Sequence, residues 1–208
     1  TVLHNAHDEL QGDTATGGLL KAIAMNTADD LGNNGPDFIF GYGRVNARRA
    51  IRTLHDTAWF TNSVSTGDTL TYDINVPAGT KEVRAMLYWT DKEGSTVAAK
   101  ALVNNLDFTV TDLTNSTTYL PWVLNPTANN VTLNNLAVRA VDTLNNAEQV
   151  TLDNPSSGDY RLTVYGTNVP QGPQTFYIVY DMEMEDVVLT YPHTNQKLTP
   201  GAMVVRWE

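Results

Sequence analysis

Thr69-Leu70-Thr71-Tyr72-Asp73-Ile74-Asn75-Val76, then Pro77-Ala78-Gly79, then Glu82-Val83-Arg84-Ala85-Met86-Leu87-Tyr88-Trp89 read as two extended segments joined by a turn. The first alternates polar and apolar residues, the period of a half-buried strand. Pro-Ala-Gly ends it with turn chemistry. The second is an aromatic and aliphatic run of strand length. Comparable runs follow at residues 101–103, 106–110, 149–152, 160–165 and 175–180, with Asn154-Pro155-Ser156-Ser157-Gly158-Asp159 as a turn between two of them. Several short strands with turn signals between them predict an antiparallel β-sandwich of the jelly-roll kind, and the chain as mainly β. Its expected core includes Ile74, Val83, Met86, Leu87, Trp89, Leu106, Phe108, Val150, Leu162, Val164, Phe176 and Ile178. Residues 112–148, rich in Asn and Thr, read as a long loop across one end.

The residues before this region have another period. Val2, Leu3, Ala6 and Leu10 fall on one helical face, and Gly12-Asp13 ends that helix. Thr16 caps a second helix with the stripe Leu19, Leu20, Ile23 and Ala24. Residues 29–37 form a loop, Gly41-Tyr42-Gly43 is a tight passage, and Asn46 caps a helix carrying Arg48, Arg49 and Arg52. At the other end, 187–192 and 204–207 read as two strands around Pro200-Gly201. Two strands do not make a stable domain alone.

Bulk properties exclude several classes. The 208 residues carry a formal charge of −10, which argues against nucleic acid as a partner. No apolar run is long enough to span a bilayer. There is no cysteine, so no disulfide framework and no thiol chemistry.

Leu19-Leu20-Lys21-Ala22 with Asn26-Thr27-Ala28-Asp29, followed by Gly41-Tyr42-Gly43-Arg44-Val45-Asn46-Ala47, resembles the last helices of the catalytic domain of subtilisin-like serine proteases (subtilases). Four further blocks are similar to one subtilase branch in which that domain is followed by a β-sandwich. They are residues 87–91 (LYWTD), 101–107 (ALVNNLD), 144–150 (LNNAEQV) and 165–174 (YGTNVPQGPQ). Asn105 departs from the aspartate usual in the second block. The family's nucleophile sits in a GTSMxxP motif upstream of these helices, and this sequence has none. The resemblance implies a C-terminal portion of a secreted endopeptidase that cleaves protein or peptide substrates through an acyl-serine. Expected parts are the last helices of a truncated α/β catalytic domain (1–56), an accessory sandwich (57–184), and the start of an immunoglobulin-like module or an edge hairpin (185–208). The setting implied is extracellular, periplasmic or cell-surface.

No catalytic residue is assigned within the chain. His4, His7 and Asp8 share a helix, a spacing that also suits a metal, but read as a solvated helix end. Gly41-Tyr42-Gly43 lacks the Lys-Ser/Thr of a phosphate loop. The resemblance brings Asp91, Asn105, Asp107, Asp142, Asn146 and Glu148 together as candidate ligands for a structural calcium, which takes six to eight oxygens. The alternative is that these residues cap loops through backbone hydrogen bonds. Trp122 is either a stacking surface for a sugar or peptide or a loop anchor. The rival function is accordingly a free-standing secreted sandwich that binds carbohydrate or a protein partner. The apolar stripes of residues 1–54, without a catalytic domain to cover them, predict packing on the chain's own sandwich or self-association.

Overall fold

The structure, a computed structural model, describes residues 2–185 in full and, beyond them, the backbone of 189–191 and 206–207. Three helices come first: α1 (Val2–Gln11), α2 (Gly17–Asn26) and α3 (Ala47–His55). Thr16 accepts a hydrogen bond from the Leu19 N–H and Asn46 one from the Arg49 N–H, so both expected caps are made. Between α2 and α3 the chain folds back on itself. Asp29 and Arg44 exchange backbone hydrogen bonds, and a Cβ on Gly43, at φ 107°, would strike the Asp29 carbonyl.

The strands are β1 (Trp59–Val64), β2 (Thr69–Val76), β3 (Thr80–Trp89), β4 (Asn105–Asp112), β5 (Thr117–Tyr119), β6 (Trp122–Val123), β7 (Val138–Arg139), β8 (Ala147–Asp153), β9 (Gly158–Asn168) and β10 (Gln174–Met184), with a one-turn helix α4 (Asn130–Leu133) before β7. Two four-stranded antiparallel sheets, ordered β1-β10-β3-β8 and β2-β9-β4-β5, face each other as a sandwich. The core between them holds Ile74, Val83, Leu87, Trp89, Leu106, Phe108, Val150, Leu162, Val164, Phe176 and Ile178. Met86 is also fully buried, but its neighbour Leu87 faces the core, so the pleat turns Met86 to the opposite side of β3.

That outer face is covered. Leu19, Ala22 and Ile23 of α2, with Ala50 and Leu54 of α3, pack on Tyr88 and Val179 of the first sheet, flanked by Trp59 and Tyr177. Both faces of β3 are therefore buried, which is why its sequence runs almost continuously apolar from Ala85 to Trp89. The α2 stripe needs no second copy to cover it. Val45 and Ile51 do stay exposed, at 65% and 37%.

Three expectations are corrected. Residues 101–103 form no strand; they lead into β4 with Leu102 resting on the core. Residues 59–64 are a strand, although Thr61-Asn62-Ser63 blunts its apolar signal. Residues 112–148 are not one loop: β5 pairs with β4, and β6 pairs with β7. At the far end β11 (Leu189–Tyr191) pairs with β12 (Arg206–Trp207), while Val187, Val188, Val204, Val205 and the Pro200-Gly201 turn lie outside the described residues.

Candidate functional site

Glu148 lies at the start of β8 in the first sheet and reaches across to β4 in the second, where its Oε2 accepts the Phe108 N–H at 2.9 Å. Its side chain is 1% exposed and Oε1 has no partner. Asn105, the first residue of β4, is 8% exposed and its Oδ1 is likewise without a partner, while its Nδ2 leans on Asp107 at 3.5 Å. Asp107 also accepts from the Thr167 hydroxyl. Burial, then the charges of Asp107 and Asp142, pushes the Glu148 carboxyl well above the usual carboxylate range. Burial, then the charges of Asp142 and Glu148, raise the Tyr42 phenol, which donates to the Ala147 carbonyl at 3.3 Å.

The six candidate ligands divide. Asn105 touches Asp107, and the charges of Asp107 and Asp142 both bear on Glu148. Asp142 spends its oxygens on the Leu144 and Asn145 N–H groups and the Asn145 amide. Asp91 accepts from the backbone of Lys92, Val103 and Asn104. Asn146 turns its amide nitrogen to the Trp89 carbonyl at 2.7 Å. Loop capping thus describes Asp91, Asp142 and Asn146. Among the described residues no ready-made cage of three or more acidic or imidazole groups exists. The donors left over, two orphaned buried oxygens and the Asp107 carboxylate, are all hard oxygens of the kind calcium takes. An orphaned buried acceptor is costly unless something meets it.

The other candidates resolve simply. His4 pairs with Asp8 at 3.2 Å on the surface of α1. His7 is not a solvated helix end: it is 4% exposed, with Nδ1 3.1 Å from the Asp13 carbonyl and its ring tilted beside Trp59. Trp122 is an anchor. Arg139 lies 3.6 Å over its ring, and Gly35, at φ 80°, brings its backbone against the same indole. The indole N–H donates to Thr151 Oγ1 at 2.9 Å. Arg139 donates to the carbonyls of Leu120 and Thr151, and burial holds its pKa down to about 10. These contacts clamp the 120–140 region onto β8 and leave the indole little surface for a sugar. Arg139→Ala is expected to cost about 2–3 kcal/mol, since it strips charged hydrogen bonds from two carbonyls. Urea denaturation checks this, and an unchanged midpoint would refute the clamp.

The architecture is thus a two-sheet antiparallel β-sandwich with three helices seated at one face. No protein-family profile matches the chain. It is similar to three Dictyostelium discoideum proteins named serine protease/ABC transporter B family proteins. With tagA it shares 24% identity over 172 residues, covering 77% of this chain and 10% of tagA. With tagD the figures are 29% over 136 residues, 60% and 7%, and with tagB 31% over 112 residues, 50% and 5%. The chain therefore spans about a tenth or less of these relatives. Among solved structures, it is similar to a Bacillus licheniformis lipase (BlEst2) in propeptide form, at 11% identity and TM-score 0.36, covering 61% of this chain and 22% of that one. The pre-peptidase C-terminal domain of a Bacillus anthracis collagenase gives 16%, TM-score 0.35, and covers 59% and 87%. Among the described residues no helix is long and apolar enough to cross a membrane.

Proposed function

We propose that this chain is a C-terminal portion of a secreted subtilisin-like serine endopeptidase, in which the sandwich stabilises the catalytic body or shapes substrate access. The observation that carries it is the seating of α2 and α3 on the outer face of the sandwich through Leu19, Ile23, Ala50 and Leu54. The two elements with subtilase-like sequence are thereby joined to the accessory sheet. The similarity to proteins named as serine proteases supports the same reading. Among the described residues no nucleophile has a partnered base, so purified chain should hydrolyse neither casein nor a fluorogenic peptide. Turnover that follows the protein peak and is blocked by a fluorophosphonate would overturn this. So would a reading frame with no GTSMxxP motif upstream, which would favour the free-standing binding module. Val45 and Ile51 are then the residues that a catalytic body, or a second copy, would cover. Light scattering of the chain distinguishes the two.

Calcium belongs to the same proposal. Asn105, Asp107 and Glu148 would hold it, adding a positive charge where Glu148 is otherwise buried with an unmet oxygen. Bound only by the folded state, the ion would stabilise by roughly 2.7 kcal/mol at a hundredfold excess over its Kd. Its binding should strengthen as pH rises, because it must displace the proton that burial favours on Glu148. Melting curves with calcium and with chelator should differ by several degrees, and Asp107→Ala should erase the difference. Coincident curves would remove the metal.

A further inference from the structure

The connection between β3 and β4 is unlike every other in the sandwich. Residues 95–101 are all exposed, as are Lys92 and Glu93, with Val97 at 91%. The loop's own bonds amount to one small turn, Ala98 N–H to the Ser95 carbonyl, with the Val97 N–H reaching the Ser95 hydroxyl. Its neck, by contrast, is fastened repeatedly. The Asp91 carboxylate gathers the N–H groups of Lys92, Val103 and Asn104. The Trp89 indole donates to the Asn104 carbonyl, and the Asn104 side chain bonds Gln171 and Gln174 across to the β9–β10 turn. A Cβ on Gly94 would meet the Ala101 carbonyl at 2.8 Å, so the two legs of the loop nearly touch.

A folded protein is nicked where an exposed stretch opens locally at little cost and can be taken in extended form. Opening residues 93–101 breaks one backbone hydrogen bond and exposes no core residue. The other long exposed connection, 125–136, is tied differently: Asn129 caps α4 and accepts from Thr132, Leu133 and Asn134 bond back into the turn, and Ala137 is buried behind it. The remaining strand connections in the two main sheets are short turns.

We propose that Ser95-Thr96-Val97-Ala98-Ala99 is a proteolytic processing site, a substrate for an endopeptidase that accepts small neutral residues in extended conformation. Water adds to a carbonyl carbon in this stretch, the C–N bond breaks, and the departing nitrogen takes a proton, leaving a new carboxylate and a new amine. The product is a nicked chain that stays assembled. β1, β2 and β3 lie before the cut, and they pair with β10, β9 and again β10 and β8 after it.

Limited digestion of the intact chain with subtilisin and, separately, trypsin tests it. Both should cut first within 92–101, about tenfold sooner than elsewhere, and the two fragments should co-elute on size exclusion with the sandwich still melting cooperatively. Thr96→Pro with Ala99→Pro, at positions whose N–H groups make no hydrogen bond, should lengthen the intact chain's half-life about tenfold while leaving the melting temperature unchanged. A first cut in α1 or in 125–136, fragments that separate, or a proline variant cleaved as fast as the parent would each overturn the proposal.

Discussion

Trp89→Ala is expected to cost about 3–5 kcal/mol, the range for deleting a fully buried large aromatic side chain. Trp89 is 0% exposed and closes β3. Its ring fills the core among Leu87, Leu106, Val164 and Phe176. Its polar atoms are all engaged: the indole N–H bonds the Asn104 carbonyl at 3.0 Å, the backbone N–H bonds the Asn146 carbonyl, and its own carbonyl receives the Asn146 amide. Removing the side chain therefore empties a cavity and orphans the Asn104 carbonyl at the neck of the β3–β4 loop. Trp89→Phe separates these effects, since it keeps most of the volume and loses the donor, and should cost about 1–3 kcal/mol. Chemical denaturation of both variants gives the two values. A loss below about 1 kcal/mol in Trp89→Ala would show that the core collapses around the deletion.

The sandwich was legible because its signals are local. Alternation from Thr69 to Val76 and the Pro77-Ala78-Gly79 turn needed no knowledge of partners, and Thr16 and Asn46 announced their helices by cap chemistry alone. What was not legible depended on distance. That β3 buries both faces follows from its unbroken apolar run, but what covers the second face is α2, more than fifty residues earlier. The run 101–103 looked like a strand because apolar residues do, yet no neighbour offers it a ladder. The sequence offered Trp122 as a loop anchor or a stacking surface, and what decides for the anchor is Gly35 and Arg139, which sequence separates and the fold stacks on one indole. In the candidate site, Asn105 touches Asp107 and the Asp107 charge bears on Glu148, which residue order alone does not show. Asp91 and Asp142 spend their oxygens on backbone N–H groups and a neighbouring amide, and Asn146 gives its amide nitrogen to a carbonyl, choices set by loop geometry that residue type does not reveal.

The same distinction governs how the helices are fixed. Along β10 the residues alternate between two apolar faces until Asp181, which stands on the helix side where Tyr177 and Val179 precede it. Its side chain is 3% exposed, and it takes the Arg49 Nε at 2.7 Å and the Arg52 Nη2 at 2.7 Å, with Arg49 also reaching Glu82. Burial works against the Arg49 charge, and the Asp181 charge beside it outweighs that, so its pKa lies above the ordinary value. Asp181→Ala leaves the Arg49 guanidinium, 11% exposed, with Glu82 and the half-exposed Glu183 as its remaining partners among the described residues. Removing the closest member of this buried cluster is expected to cost up to about 3 kcal/mol, the lower end for breaking a buried pair, because Glu82 and Glu183 still meet part of the Arg49 charge. Arg49→Met in the Asp181→Ala background should then recover much of the loss, a coupling that a double-mutant cycle reads directly. The location of the damage is as informative as its size. Hydrogen exchange should quicken in α3 and at the α3-facing residues of β10 while β4 and β9 keep their protection. If Asp181→Ala destabilises by less than about 1 kcal/mol, or if exchange quickens evenly across both sheets, the helices are held by Leu19, Ile23 and Leu54 alone and the ion pairs do not fasten them.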